Sequence, residues 1–224
     1  MSPRENKKST AELPESSISA PSLGQAFFER EIHRVAQDLL GRDLVRFREG
    51  VKLVARIVEV EVYEGANDPA SHARQGVPTA RTQPMFADPG TLYVYTIYGI
   101  YQCLNVRVPS KTGPGAILIR ACEPRQGHQV MARGRGLIDR EEEYRSKMAK
   151  KLLSGPAKIC QALDIDTGLS GEMIGDDLWL SPGSPVAAGR IESTPRIGLN
   201  PRRCGECVEW PWRYVVRDST WASR

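Results

Sequence analysis

The hydrophobic positions of the chain follow two periods, and the switches between them mark its elements. Phe28, Ile32, Val35 and Leu39 recur at helical spacing, which predicts a helix over about Gln25 to Leu40 with Gly41 as its stop. From Leu44 to Phe47 and from Lys52 to Tyr63 the spacing reads as strand. Residues 64–90 follow neither period. Gly65, Asn67, Asp68, Pro69, Gly76, Pro78 and Pro84 break regular structure there, and a loop of that length inside a compact domain is usually functional. Leu92 to Ile97 and Ile100 to Val108 read as two strands joined at Tyr98-Gly99, and Ala116 to Ala121 as a further apolar strand. A basic helical region is expected over about Gln126 to Lys151, broken near Gly134 and Gly136. Gly155-Pro156 opens a helix through Leu163, since proline suits a first helical turn. The last third holds short strands ending in Arg213 to Arg217, and no internal repeat occurs. The pattern predicts an α+β fold: a single domain around a mixed, mostly antiparallel curved sheet with a protruding β-hairpin. Residues 1–22, rich in Ser, Pro, Lys and Glu, read as a disordered tail, and residues 23–224 as the folded domain.

Composition narrows the class. A chain of 224 residues can bury a sizeable core, and 40% hydrophobic with 26% charged residues is ordinary for a soluble fold. The net charge of +4 is compatible with a polyanionic partner without establishing one. No apolar run reaches the roughly 18 residues of a membrane span, and the N-terminus lacks the apolar core of a signal peptide. No membrane association is therefore expected, and the protein is expected to stay intracellular, in a reducing compartment. Five cysteines, an odd count, argue against a disulfide framework. Cys204-Gly-Glu-Cys207 has metal-ligand spacing, but no second Cys pair or neighbouring His completes a site, so two inert thiols are expected. No Gly-rich phosphate cradle appears either, so neither metal nor cofactor is expected.

The candidate chemistry lies on the strand ending at Tyr63. Alternation puts Glu59, Glu61 and Tyr63 on one face and Val58, Val60 and Val62 on the other. The valines can enter a core, while the acidic face meets solvent or lines a cleft. Cleavage of a glycosidic bond develops oxocarbenium character on the sugar, which a carboxylate stabilises while it takes a proton from attacking water. Side chains at i and i+2 lie about 7 Å apart, so Glu59 and Glu61 also suit a paired-carboxylate sugar hydrolase, and spacing leaves both readings open. Tyr98 precedes glycine at the hairpin tip, where an exposed ring suits insertion into a base stack. That hairpin would equally serve a damage-binding protein without catalysis. Tyr93 and Tyr101 are expected in the core. Asn105 can both donate and accept at a base edge. Lys158, near the Gly-Pro helix start, is a phosphate candidate.

Several long words in fixed order carry a resemblance. They are Arg56-Ile-Val-Glu-Val-Glu-Val-Tyr63-Glu-Gly, Asp68-Pro-Ala-Ser-His72, Met85-Phe-Ala-Asp-Pro-Gly-Thr-Leu-Tyr-Val-Tyr95-Thr-Ile-Tyr98-Gly-Ile-Tyr, Asn105, Leu118-Ile-Arg120-Ala-Cys-Glu-Pro and Ser154-Gly-Pro-Ala-Lys158-Ile-Cys-Gln-Ala-Leu. With these the chain resembles the alkyladenine (3-methyladenine) DNA glycosylase family from about Phe27 to Ser223. The resemblance implies a monomeric, monofunctional enzyme that flips a damaged purine out of double-stranded DNA and leaves an abasic site. It implies that Glu61 is the general base and that Arg120 helps hold the water and the nucleotide. Tyr63 would form one wall of a base sandwich, His72 and Tyr95 the other. Tyr98 would fill the gap left in the duplex, and Asn105 would clash with the exocyclic amine of guanine. Met85 and Leu118 would lie near the flipped nucleotide, and Arg196-Ile197-Gly198 would bring a carbonyl to the water. No lysine lies in the matched pocket words, so water rather than a Schiff-base amine is the expected nucleophile. Arg81-Thr82 departs from the Arg-Asn more usual in the family, and the segment Gly168 to Asp176 and the Cys204 to Cys207 turn have no match.

Overall fold

The computed structural model describes residues 23–138, 149–175 and 177–223, so the tail expected over residues 1–22 lies outside the described residues. The elements in chain order are α1 (Ile32–Leu39), β1 (Asp43–Arg48), β2 (Val51–Tyr63), β3 (Leu92–Ile97), β4 (Tyr101–Ser110), β5 (Gly113–Gln126), α2 (His128–Gly134), α3 (Ala149–Leu152), α4 (Pro156–Leu163), β6 (Leu178–Ser181), β7 (Ile191–Thr194), α5 (Pro201–Cys204) and β8 (Arg213–Val216). The strands make one sheet with the path β3-β4-β5-β2-β1-β6, and β8 pairs with both β2 and β7. The expected α+β single domain is present. Its sheet pairs antiparallel throughout the described strands.

The period of two sorts this sheet into a core face and a site face. Val60 and Val62 of β2, Leu92 and Val94 of β3, Leu104 and Val106 of β4, and Ile117 and Ile119 of β5 join one apolar cluster. α1 and α4 pack against these strands and add Ile32, Val35, Leu39, Ile159 and Leu163 to the same cluster. Each such aliphatic side chain contributes about 1.5–3 kcal/mol when fully buried. The alternate positions, Glu59, Glu61, Tyr63, Tyr93, Tyr95, Asn105, Leu118 and Arg120, therefore share the opposite face. β2 lies inside the sheet: β5 pairs with Val54–Tyr63 on one edge, and β1 with Val51–Arg56 and then β8 with Glu59–Glu61 on the other. Its register with β5 shifts on both sides of Glu59, which marks bulges at the point where β8 takes over from β1.

Two elements differ from expectation. The long helix is confined to α1, with only a 3-10 turn at Gln25–Phe27 before it. Glu31 ends it early by accepting hydrogen bonds from the His33 and Arg34 amides through its two carboxylate oxygens, an N-cap. Tyr101 is not a core residue: it is exposed beside the hairpin tip, with Tyr98 and Ile100. The β3–β4 hairpin turns on Tyr98 (φ 54°) and Gly99 (φ 73°), the two left-handed residues that a type I′ turn requires. The outer edge of β3 is covered by the segment after α4. Leu92 donates to the Glu172 carbonyl and Val94 to the Ser170 hydroxyl. The basic stretch expected to be helical resolves into α2 and α3, with residues 139–148 outside the described residues. No helix among the described residues is long and apolar enough to cross a membrane.

Candidate active site

Glu61 is fully buried at the centre of the site face. Its Oε1 accepts a hydrogen bond from the Ile197 amide at 2.7 Å, and its Oε2 one from the Tyr63 hydroxyl at 2.8 Å. Arg120 Nη1 stands 3.5 Å from Oε1. Burial pushes the Glu61 carboxyl above the usual carboxylate range, and Glu59 adds to that rise. Arg120, the Ile197 amide and the Tyr63 hydroxyl pull in the opposite direction. The group is thus a carboxylate held in place by two donors yet more basic than an exposed one.

The Ile197 amide is delivered by its neighbour. Arg196 runs under the loop to Asp68, donating at 2.6 and 3.0 Å to its two carboxylate oxygens, and to the Val62 carbonyl at 2.9 Å. Neither side chain of the pair has any exposure. The Arg196 guanidinium also lies 4.8 Å from the Tyr63 ring centre and 5.1 Å from that of Trp212. The bond to Val62 fastens residues 196–197 to β2, and the ion pair fastens them to the loop that follows it. Asp68 stands in one of the matched words and Arg196 in another stretch noted for its backbone, but 128 residues separate them. No local signal joins them.

The Glu59 end of the acidic face is neither solvated nor cleft-lining, because β2 is central and the chain beyond β8 covers it, whereas Tyr63 at the other end lines a cleft. Glu59, also fully buried, binds Arg120 Nε at 3.0 Å, Arg213 Nη1 at 2.8 Å and the Ser223 hydroxyl at 2.8 Å, and accepts from the Ser223 amide. Both its oxygens are occupied. A pair of free carboxylates facing one another across a sugar is not what this face presents.

Above Glu61 lies an outer cleft of about 380 Å3, which narrows into an inner cavity of about 30 Å3. The inner cavity has room for about two waters by the usual measure, so the outer cleft is the larger space for a ligand. Tyr63, His72 and Tyr95 line both spaces. Met85 and Asn105 line the inner one; Leu118, Arg120, Tyr98 and Ile197 line the outer. His72 packs edge-on to Tyr95 at 4.7 Å between ring centres, and its Nδ1 is 2.8 Å from the Tyr93 hydroxyl. Tyr93 is buried as expected, yet it also lines the inner cavity. Burial, with Arg81, Arg203 and Arg74 nearby, pushes the His72 pKa down to about 4. The ring is therefore neutral at physiological pH. Burial likewise raises the Tyr63 and Tyr95 hydroxyls, so both stay protonated. Asn105 donates its amide hydrogens to the Tyr93 and Cys103 carbonyls, which fixes its side chain in the wall. Tyr98 reaches the cleft rim with 85% of its surface exposed.

Lys158 is the candidate that stands apart. Pro156 of the same helix touches the outer cleft, but Lys158 does not line it, and its Nζ lies 3.5 Å from the Ser154 hydroxyl. Arg81, noted in the sequence only beside Thr82 and not as a site residue, is an addition: its guanidinium sits 4.9 Å from the Tyr95 ring centre. Arg203 lines the outer cleft and was likewise unmarked. Cys204 and Cys207 are free, buried thiols, the latter pushed up to about 11 by burial and by its neighbour.

Comparison with known proteins gives a family. The model of the methylpurine-DNA glycosylase family matches residues 26–220. A Desulfitobacterium hafniense protein provisionally named a 3-methyladenine DNA glycosylase is 38% identical over 202 residues, covering 90% of this chain and 98% of that one. The DNA-3-methyladenine glycosylases of Mus musculus and Homo sapiens are 40% and 39% identical. Each alignment covers 90% of this chain, with 61% of the mouse protein and 67% of the human one.

Proposed function

The chain belongs to the methylpurine-DNA glycosylase family, and from that premise we propose that it releases alkylated purines, 3-methyladenine among them, and deaminated purines such as hypoxanthine from duplex DNA. As a DNA glycosylase it is a hydrolase of N-glycosyl bonds, acting through the domain formed by residues 23–224 as a monomer. The observation that carries the reading is the buried Glu61 carboxylate, held by Ile197 and Tyr63 beneath a cleft walled by Tyr63, His72 and Tyr95.

A base inside a duplex is out of reach of such a cleft, so the nucleotide must be unstacked and extruded. Tyr98, at the exposed tip, is the group to occupy the vacated stack. The base then lies between Tyr63 on one side and His72 with Tyr95 on the other, and stacking returns about 1–3 kcal/mol. A cationic alkylated purine gains further from these π faces, and a neutral His72 does not repel it. Asn105, locked by two carbonyls, clashes with the exocyclic amine of guanine and so disfavours that normal purine. Met85 and Leu118 complete the apolar walls, and Lys158 is left for a phosphate at the edge of the footprint.

The C–N bond breaks with its electron pair leaving on the base, and positive charge develops on the sugar. A cationic alkylated purine thereby departs neutral, whereas hypoxanthine takes up a proton from a pocket acid or solvent as it leaves. Glu61 stabilises that charge and accepts the proton of the attacking water, whose oxygen bonds to the anomeric carbon. Arg120 and the backbone of Arg196-Ile197-Gly198 orient the water. The products are the free base and an abasic site, with no lyase step.

The test is single-turnover base release from a duplex carrying one alkylated or hypoxanthine lesion, wild type beside Glu61→Gln. Loss of a general base lowers such a rate by about 10²–10⁴-fold, so the variant should bind the duplex and release no detectable base. Specific binding without release by wild type, across several lesions, overturns the reading in favour of damage binding alone.

A further inference from the structure

We infer that Glu59, together with Ser223, is a positioning pair that anchors the Arg120 guanidinium beside Glu61 while keeping the two from closing into a tight salt bridge. The inference rests on the assignment of Glu61 as the base. Its grounds are the bonds around Arg120. Nε, the nitrogen nearest the chain, is held by Glu59 at 3.0 Å and by the Ser223 hydroxyl at 2.9 Å. What remains for Glu61 is Nη1 at 3.5 Å, beyond a good charge-assisted bond. Ser223 is itself tied to Glu59 through both its amide and its hydroxyl. Arg213 of β8 holds the same Glu59 oxygen, so the anchor cannot swing. Around Glu61 the charged or titratable groups are therefore Arg120 from β5, Glu59 and Tyr63 from its own strand, Cys103 from β4 and Arg213 from β8.

The arrangement resolves a conflict. A base must stay basic, yet a cation is needed close by for water and nucleotide. A direct Arg–carboxylate pair lowers the carboxyl pKa by about 1–3 units. Anchoring the guanidinium on a second carboxylate supplies the cation at a distance where that effect is limited. Removing the charge of Glu59 frees Arg120 to close on Glu61, and it also removes a repulsive neighbour. Both changes weaken Glu61 as a base.

The test uses Glu59→Gln and Ser223→Ala in the full chain, with two readouts. The first is the Glu61 carboxyl followed by 13C NMR titration, which requires no catalysis. In Glu59→Gln its midpoint should fall by about one unit, and in Ser223→Ala by less in the same direction. The second is single-turnover release, expected to drop about tenfold in Glu59→Gln with duplex affinity unchanged and the acidic limb displaced to lower pH. An unmoved Glu61 midpoint in folded Ser223→Ala overturns the inference, whatever the rates do, since loss of the Glu59 charge lowers the midpoint by itself and only the neutral Ser223 change reads the anchor alone. If Glu59→Gln does not fold, Ser223→Ala decides by the same midpoint. If wild type releases no base, the functional reading fails while the titration still decides the anchor.

Discussion

Asp68→Asn is the substitution that isolates the clamp under the site. It preserves shape and removes the negative charge facing Arg196. Both side chains are wholly excluded from water, and the carboxylate accepts two bonds from Arg196, at 2.6 and 3.0 Å, and one from the Ala70 amide at 2.9 Å. Breaking a buried pair from one side costs about 3–5 kcal/mol, because the surviving charge is left uncompensated. Arg196 keeps the Val62 carbonyl and the faces of Tyr63 and Trp212, and such ring contacts return about 0.5–2 kcal/mol each. The lower end, about 3 kcal/mol, is therefore the expected loss. That is a fifth to more than half of the 5–15 kcal/mol that typically holds a domain together. Urea denaturation followed by tryptophan fluorescence reads it as a fall in midpoint at unchanged slope. Asp68→Leu with Arg196→Met, which removes both charges, should recover much of the loss. A loss below about 1 kcal/mol in the single variant would refute the reasoning, since that is the range of a solvated pair.

Two further outcomes are expected. His72 titrates near 4 in the folded protein against an ordinary value near 6.5, so its contribution to stability is complete above pH 6.5 and is lost as pH falls towards 4. Urea midpoints taken stepwise over that window should fall more steeply for wild type than for His72→Gln; parallel curves would contradict the low value. Tyr98 is exposed and has a left-handed backbone, which costs an ordinary residue about 1–2 kcal/mol and asparagine less. Tyr98→Asn should therefore unfold at the same or a higher temperature, yet bind a lesion duplex more weakly by filter or anisotropy assay. A lower melting temperature with unchanged binding would remove the residue from the DNA contact.

The alternation of Glu59, Val60, Glu61, Val62 and Tyr63 was enough to divide β2 into two chemical faces, and the structure keeps that division. What alternation could not tell was exposure. A strand's neighbours are chosen by the rest of the chain, and the face that looked polar is roofed by Arg213, Ser223 and Arg120 from distant positions. Long-range ion pairs leave no local trace, since Asp68 and Arg196 each look like any loop charge. The hairpin was legible because Tyr98-Gly99 is a turn signal between two strand patterns. Tyr101 was misplaced because register alone decides whether a strand-end ring faces the core or the tip. The overlong helix reflects a periodicity continued across Phe28, which is buried ahead of the Glu31 cap rather than within a helix.

β2 is paired on both edges from Glu59 to Glu61 and buried from Ile57 to Val62, whereas the Ile97–Tyr101 tip is held by a single turn. Amide protons along the first should exchange with solvent only when the whole molecule opens, and those of the second by brief local fraying. The two ends of one site then live on separate clocks. On the roles proposed above, the general base belongs to the slowest-opening part of the protein, and the residue proposed to enter the duplex to one of the fastest. A hairpin in that proposed role can adjust its tip without disturbing the geometry around Glu61.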